Sequence, residues 1–468
     1  MTWLTGSKGW GISRGEGRDL EETSEKELFE TVPVRRAVAA LAVPTIISQI
    51  VSIIYNLADT FFIGQMGNPY MVAAATLVYP WFALLTALAN LFGIGGSSLA
   101  SRMLGAKREK EIKYVSSFCF YGGIVVTLVF ASFSLLFRTQ LLHFLGASEE
   151  NISYAEVYLI WVVVLGGVPT VLSMILAHFL RSEGHARLAS AGMMTGGILN
   201  MLLDPLFIYG LHMGFRGAAV ATAFSNLVSM LLFLLCYCRM KGRTVISLSP
   251  HHFRVQFAGQ VFSVGIASAL TQGLANLSNM TIVKLSSGYG DIAVAAYGIV
   301  KKIDMFPLGI SMGLCQGVMP LVGYNYAAKN YRRMRDVSVF SWKAASAVAL
   351  CFMGGFLVFA PWLLQSFIRD SQTGLLGASF LRIACLAVPI QSVNALIIYT
   401  LQAMGKGAQS SVLTLCRQGL LNIPMLVMMN WIFGLYGMIW TQLIIELIML
   451  PATLGMYMMT WRKLTKRV

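Results

Sequence analysis

Two aspartates stand inside long apolar runs of this sequence, Asp59 in "NLADTFF" and Asp204 in "ILNMLLDPLFIYG". An ionisable group in such a run is expensive to bury, so each demands a partner or a role. Gln49, Ser52, Asn56 and Asp59 follow one another at intervals of 3, 4 and 3, which puts all of them on one helix face. Asn200 and Asp204 share a face of a second helix, and Thr222, Ser225, Asn226 and Ser229 repeat the rhythm on a third. Pro205 has no N–H, so the carbonyl of Met201 one turn back loses its helical partner and becomes available to a cation or water beside Asp204. Three polar faces are not expected to point at lipid; they should converge inside one bundle. Two carboxylates brought together in a low dielectric do not both stay ionised unless a cation joins them, so one holds a proton or both share a metal ion. The oxygens of Asp59, Asn200, Asp204 and Thr222 suit a hard cation such as Na+ as well as they suit a proton relay.

The elements that must position these groups are membrane helices. Of 468 residues 56% are hydrophobic and only 12% charged, with a mean hydropathy of +0.68, well above the range of water-soluble domains. Apolar runs long enough to cross a ~30 Å hydrocarbon core fall at roughly 37–63, 71–99, 114–137, 155–179, 188–210, 217–238, 258–286, 292–321, 339–364, 378–402, 411–433 and 435–459. No run alternates in polarity as a β-barrel strand would, so the fold class is an all-α polytopic membrane protein of twelve helices. The net charge of +15 does not mark a nucleic-acid ligand, because the basic residues fall at every second span boundary. Arg102, Lys107 and Arg108 follow span two, Arg181 and Arg187 span four, Arg239 and Lys241 span six, Arg332 and Arg333 span eight, and Lys406 and Arg417 span ten. By the positive-inside rule both termini are cytoplasmic, in a multi-pass protein of the cell membrane that is expected to act as a monomer. Residues 1–36 read as a mobile cytoplasmic tail rather than a signal peptide, and 461–468 as a basic cytoplasmic end. The seven cysteines lie in or beside apolar spans and read as small core residues.

Compared with itself at a shift of about 220 residues, the chain repeats. "NLAD" at 56–59 lies over "NLSN" at 276–279, "ILNMLL" at 198–203 over "LLNIPM" at 420–425, and "GFRGAAVATA" at 214–223 over "GLYGMIWTQL" at 434–443. Each copy has an even number of spans, so the two six-helix bundles, 37–239 and 257–460, are parallel and related by an axis along the membrane normal. The linker at 240–256 is long enough for one bundle to rock against the other. "GIGGSS" at 93–98 and "GISMGLCQG" at 309–317 are not phosphate loops; they are small-residue faces for close helix packing. No Walker motif occurs, so ATP is not expected to drive the protein directly.

"NLADTFFIGQMG", "NMLLDP" and above all "QGVMPLVGYNYAAK" at 316–329 resemble the multidrug and toxic-compound extrusion (MATE) family, nearest its MepA-like branch, over everything after residue 35. Ala327 departs from the glycine expected there, at a helix end away from the acids. The resemblance implies efflux of organic, often cationic, compounds coupled to H+ or Na+, with no other cofactor, and a coupling role for the acids named above. The rival is a lipid-linked precursor flippase of related architecture, which would favour a cationic cavity for phosphate over an acidic pair.

The second copy breaks the symmetry. Asn279 stands at the place of Asp59 and Leu426 at that of Asp204, so coupling is expected in the first bundle alone. Lys301 and Asp304 are spaced to pair on their own helix, and Lys302 to reach a wet cavity. Met305, Phe306 and Met312 offer a soft wall able to repack around varied substrates. Glu446, over Asn226 in the repeat, either attracts cationic substrates or pairs structurally.

Overall fold

The computed structural model describes residues 27–368 and 370–465; residues 1–26 of the expected tail and 466–468 of the basic end lie outside them. Among the described residues the chain is helical with no strand. The helices are α1 Val34–Gln65, α2 Pro69–Gly105, α3 Glu109–Leu136, α4 Ile152–Ser182, α5 Ala186–Gly210 and α6 Phe215–Arg239. The second set is α7 Ala258–Ser287, α8 Asp291–Ala327, α9 Tyr331–Phe367, α10 Ser371–Ala403, α11 at 407–433 and α12 at 435–465.

The breaks inside these helices lie beside prolines. α4 bends by 45° at Gly166, after a π-helical stretch at Leu159–Leu165 that ends four residues before Pro169. In α11 a second π stretch, Leu415–Leu420, ends four residues before Pro424. In both, the widened turn ends on a bond from the residue five further on, Gly166 N to the Trp161 carbonyl and Leu421 N to that of Cys416, just ahead of a proline that has no N–H to give. A third, Leu206–Gly210, follows Pro205 directly.

The helical hairpins α5–α6 and α11–α12 turn on matching glycines. Gly214 has φ 57° and ψ −141°, Gly434 φ 62° and ψ −148°, a region that a side chain makes costly. Gly437 then lets the carbonyl of Met429 come where a Cβ would stand, 2.2 Å away, and Gly217 does the same for the backbone of Phe207. Lys107 and Lys329 likewise share a left-handed φ, 59° and 60°. The duplication is thus written in the backbone as well as in residue types.

Two lobes result, α1–α6 and α7–α12. Their most extensive mutual contacts are α2 with α7 and α1 with α8. These lie toward the face where the chain enters α1 and leaves α12, here called the terminal face. There a Cβ on Gly265 would stand 2.0 Å from the Leu91 carbonyl, one on Gly95 2.4 Å from that of Val261, and ones on Gly313 and Gly317 2.6 Å from the Cα atoms of Ile46 and Ala42. The run at 309–317 and Gly95 of the run at 93–98 are therefore surfaces on which the lobes meet, while Gly93 and Gly96 pack against His178 and Cys119 within the first lobe. Ser98 Oγ adds a 2.7 Å hydrogen bond to the Gln402 carbonyl across the same seam.

The connection between lobes is not a free tether. Glu183, at the end of α4, accepts from Thr244 Oγ1 at 2.6 Å and Val245 N at 2.9 Å, while Ser116, Ser117 and Tyr121 of α3 donate to the carbonyls of Ser247, Ser249 and Leu248. His252 closes the strap through Nδ1 on Ser247 Oγ, 2.8 Å. Residues 244–252 ride on the first lobe, which confines any rocking to the few residues before α7. Arg181, in the last turn of α4, stands at a boundary as read but is only 5% exposed, whereas Arg417, also 5% exposed, lies inside α11 and not at a boundary.

Candidate functional site

α1, α5 and α6 run beside one another, and the polar residues of all three come together toward the face opposite the termini. Asp204 and Asn200 are fully buried. Asn200 Nδ2 donates both to Asp204 Oδ1 and to Thr222 Oγ1, each at 3.3 Å, so one amide bridges α5 and α6. Asp59 is half-buried on α1 and lies within electrostatic reach of Asp204. Tyr158, in the α-helical turn just before the π stretch of α4, directs its hydroxyl at Asp59 Oδ2, 3.5 Å away. Three buried oxygens of this group have no donor: Asp59 Oδ1, Asn200 Oδ1 and Asp204 Oδ2. An unsatisfied buried acceptor costs about 1–3 kcal/mol, more when charged, so these three oxygens are the places where the cluster lacks a donor.

The rest of the polar stripe takes several parts. Asn56 lines the cavity but folds its amide onto the Ser52 carbonyl, 2.7 Å. Gln49 lies against Gly309 of the second lobe, so the stripe runs along the seam between lobes rather than wholly inside the first. Ser225 donates to the carbonyl of Thr222 in its own helix, while Asn226 donates to Thr170 Oγ1 of α4 at 2.9 Å and Ser229 to the Gly192 carbonyl of α5, and these last two bind α6 to its neighbours.

A cavity of about 370 Å³ adjoins the acids. Asp59, Thr60 and Thr222 line it from the first lobe with Tyr55, Tyr79 and Tyr158, and Lys302 and Met305 of α8 line it from the second. Sequence reasoning missed the tyrosines, whose polar tips give no periodic signal in an apolar run. Lys302 is exposed in the cavity, and Lys301 sits 3.9 Å from Asp304. Met305 is on this wall; Met312 lines a separate pocket of about 100 Å³ within the second lobe, and Phe306 is half-buried.

Of the two readings of Glu446 the geometry holds the structural one. It is 0% exposed and takes Arg417 Nη2 at 2.6 Å and Nε at 2.9 Å, with Asn394 Nδ2 at 2.7 Å and Gln442 Nε2 at 2.8 Å. Its charge is spent on Arg417 and is not offered to a cationic ligand. Among the described residues no group of His, Cys, Asp and Glu is arranged to hold a metal ion by itself.

Matched helical lobes packed on one face and enclosing a shared, acid-lined cavity between them define a membrane transporter. A family model described as MatE matches residues 44–206 and again 267–428, once in each lobe. The chain is 33% identical to the multidrug export protein MepA of Staphylococcus saprophyticus over 92% of its length and 95% of that protein's, and 34% identical to MepA of Staphylococcus haemolyticus over 89% and 92%. A solved outward-facing structure of a multidrug resistance MATE family transporter superposes with a TM-score of 0.88 at 24% identity, covering 94% of this chain and 98% of that one. This chain belongs to the MatE family.

Proposed function

We propose that the protein is a secondary-active exporter of organic, often cationic, compounds from the cell, exchanging them for H+ or Na+ as its lobes rock about the cavity. The observation that carries this reading is the cluster of Asp59, Asn200, Asp204 and Thr222, with three donorless buried oxygens, opening on a cavity built by both lobes. With both acids ionised they outnumber Lys302, and the cavity attracts a cation. When a proton or Na+ enters between them, that excess is removed and the positive Lys302 helps expel the substrate. The ligand and the ion thus favour different charge states of one site, which is what exchange requires.

The charge distribution along the sequence supports a cytoplasmic terminal face in the cell membrane. On that orientation the seam is shut toward the cytoplasm and the cavity lies toward the outside, the arrangement that takes up the coupling ion. An acid on the cavity wall, Asp59, with a second buried behind it, Asp204, favours this reading over a phosphate-binding flippase. The test is purified protein in liposomes, following ethidium extrusion under imposed H+ or Na+ gradients. Ion-dependent uphill movement is expected, and its absence under either gradient, with binding intact, overturns the reading.

A further inference from the structure

We propose that the terminal face carries a binding site for one anionic phospholipid, seated between α1 of the first lobe and α8–α9 of the second. A bowl of about 840 Å³ opens there, lined by Arg35, Arg332, Arg335 and Lys343 together with Tyr331 and Trp461. One carboxylate, Asp336, lies among these four cations, and among the described residues no ion pair joins it to them. Arg335 stacks 5.8 Å over the Trp461 ring, which braces one wall. The neighbouring Arg333 is different: it turns inward and donates to the carbonyls of Leu28, Phe29 and Val32. The bowl cations therefore have no structural duty of that kind. Clusters of Lys and Arg at this depth recognise anionic headgroups.

What makes the ligand a lipid rather than a soluble phosphate is the second cavity. A groove of about 190 Å³ shares Arg35 and Phe340 with the bowl and runs on between Val38, Ala42 and Ile46 of α1 and Leu314, Ala345 and Val348 of α8 and α9. From Arg35 to Ile46 a helix rises about 16 Å, close to the ~15 Å half-thickness of a hydrocarbon core. An acyl chain laid there would have its phosphate in the bowl and its end near the midplane. Such a lipid touches both lobes where they are closed together, so it would stabilise that arrangement over the opened one.

The test uses the full chain, purified with and without added lipid, and counts retained lipid by native mass spectrometry. Dioleoyl phosphatidylglycerol competes with dioleoyl phosphatidylcholine, and glycerol phosphate serves as the soluble arm. The wild type should retain phosphatidylglycerol over phosphatidylcholine by about tenfold or more. Arg332→Gln with Arg335→Gln should abolish that preference, and the paired Arg→Lys variant should keep it. Val348→Trp, which fills the groove and leaves the bowl intact, should release the lipid too. Equal retention of the two lipids by the wild type overturns the proposal, as does a glutamine variant that keeps the preference, or displacement by glycerol phosphate at equal concentration. If the glutamine variant fails to fold, a folded Val348→Trp protein that still holds phosphatidylglycerol at wild-type level is equally fatal.

Discussion

Arg417 and Glu446 form an ion pair sealed inside the second lobe, 2.6 Å apart, with side chains 6% and 0% exposed. Removing one partner leaves a buried charge without a counterion, which costs about 3–5 kcal/mol, whereas replacing both with apolar residues of similar volume is far milder. Glu446→Gln should therefore lower the unfolding temperature in detergent sharply, and Arg417→Met with Glu446→Met should recover most of it. A Glu446→Gln protein of unchanged stability but altered substrate preference would return Glu446 to the cavity.

Asp59→Asn and Asp204→Asn should each insert correctly, still bind dye, and drive no uphill transport in liposomes. Asn200→Ala, which removes the amide bridging Asp204 and Thr222, should retain transport with about 10- to 100-fold weaker dependence on the coupling ion. Gradient-driven pumping by either aspartate variant at the wild-type rate is the result that defeats the mechanism.

Gly313→Val should prevent closure on the terminal face, because its Cβ would stand 2.6 Å from the Ile46 Cα. Ser98→Cys, in a background with the exposed Cys238 and Cys351 changed to serine, reports this by maleimide labelling, since Ser98 is 1% exposed in the closed seam. Labelling should rise severalfold in Gly313→Val. It should stay low in Gly354→Val, whose Cβ meets nothing within 4 Å.

The segment before α1 clasps the two lobes. Phe29 is 3% exposed, stacks on Tyr324 of α8 at 4.9 Å, and lies beside Gly184 of the first lobe, while Glu30 accepts from Tyr324 Oη at 2.6 Å. Truncating a packed phenylalanine costs about 3–5 kcal/mol, enough to move a two-state equilibrium by about two to four decades. Phe29→Ala and Arg333→Ala should each shift the protein toward the form open at the terminal face, read by the same Ser98→Cys labelling.

Spans, duplication and the face shared by Asn200 and Asp204 were legible because they are periodic. Periodicity is local, and the site is not. Tyr158 meets Asp59 across 99 residues of sequence because the fold brings α4 beside α1 there, and Lys302 faces the cavity because the other lobe packs there. Arg417 reads in sequence as a boundary charge for a related reason. Its depth is set by α11, and its partner Glu446 lies on α12, beyond the turn at Gly434. Residue type named both charges, but only the fold could pair them.

The strap at 244–252 has a consequence for how the molecule could be taken apart. The exposed turn at 241–243 precedes it, so a cut there would leave the strap covalently on the trailing half while Glu183, Ser116, Ser117 and Tyr121 of the leading half still grip it. Each fragment would carry its side of a ready-made fastener, and two separately synthesised pieces have the means to find each other and rebuild the whole machine.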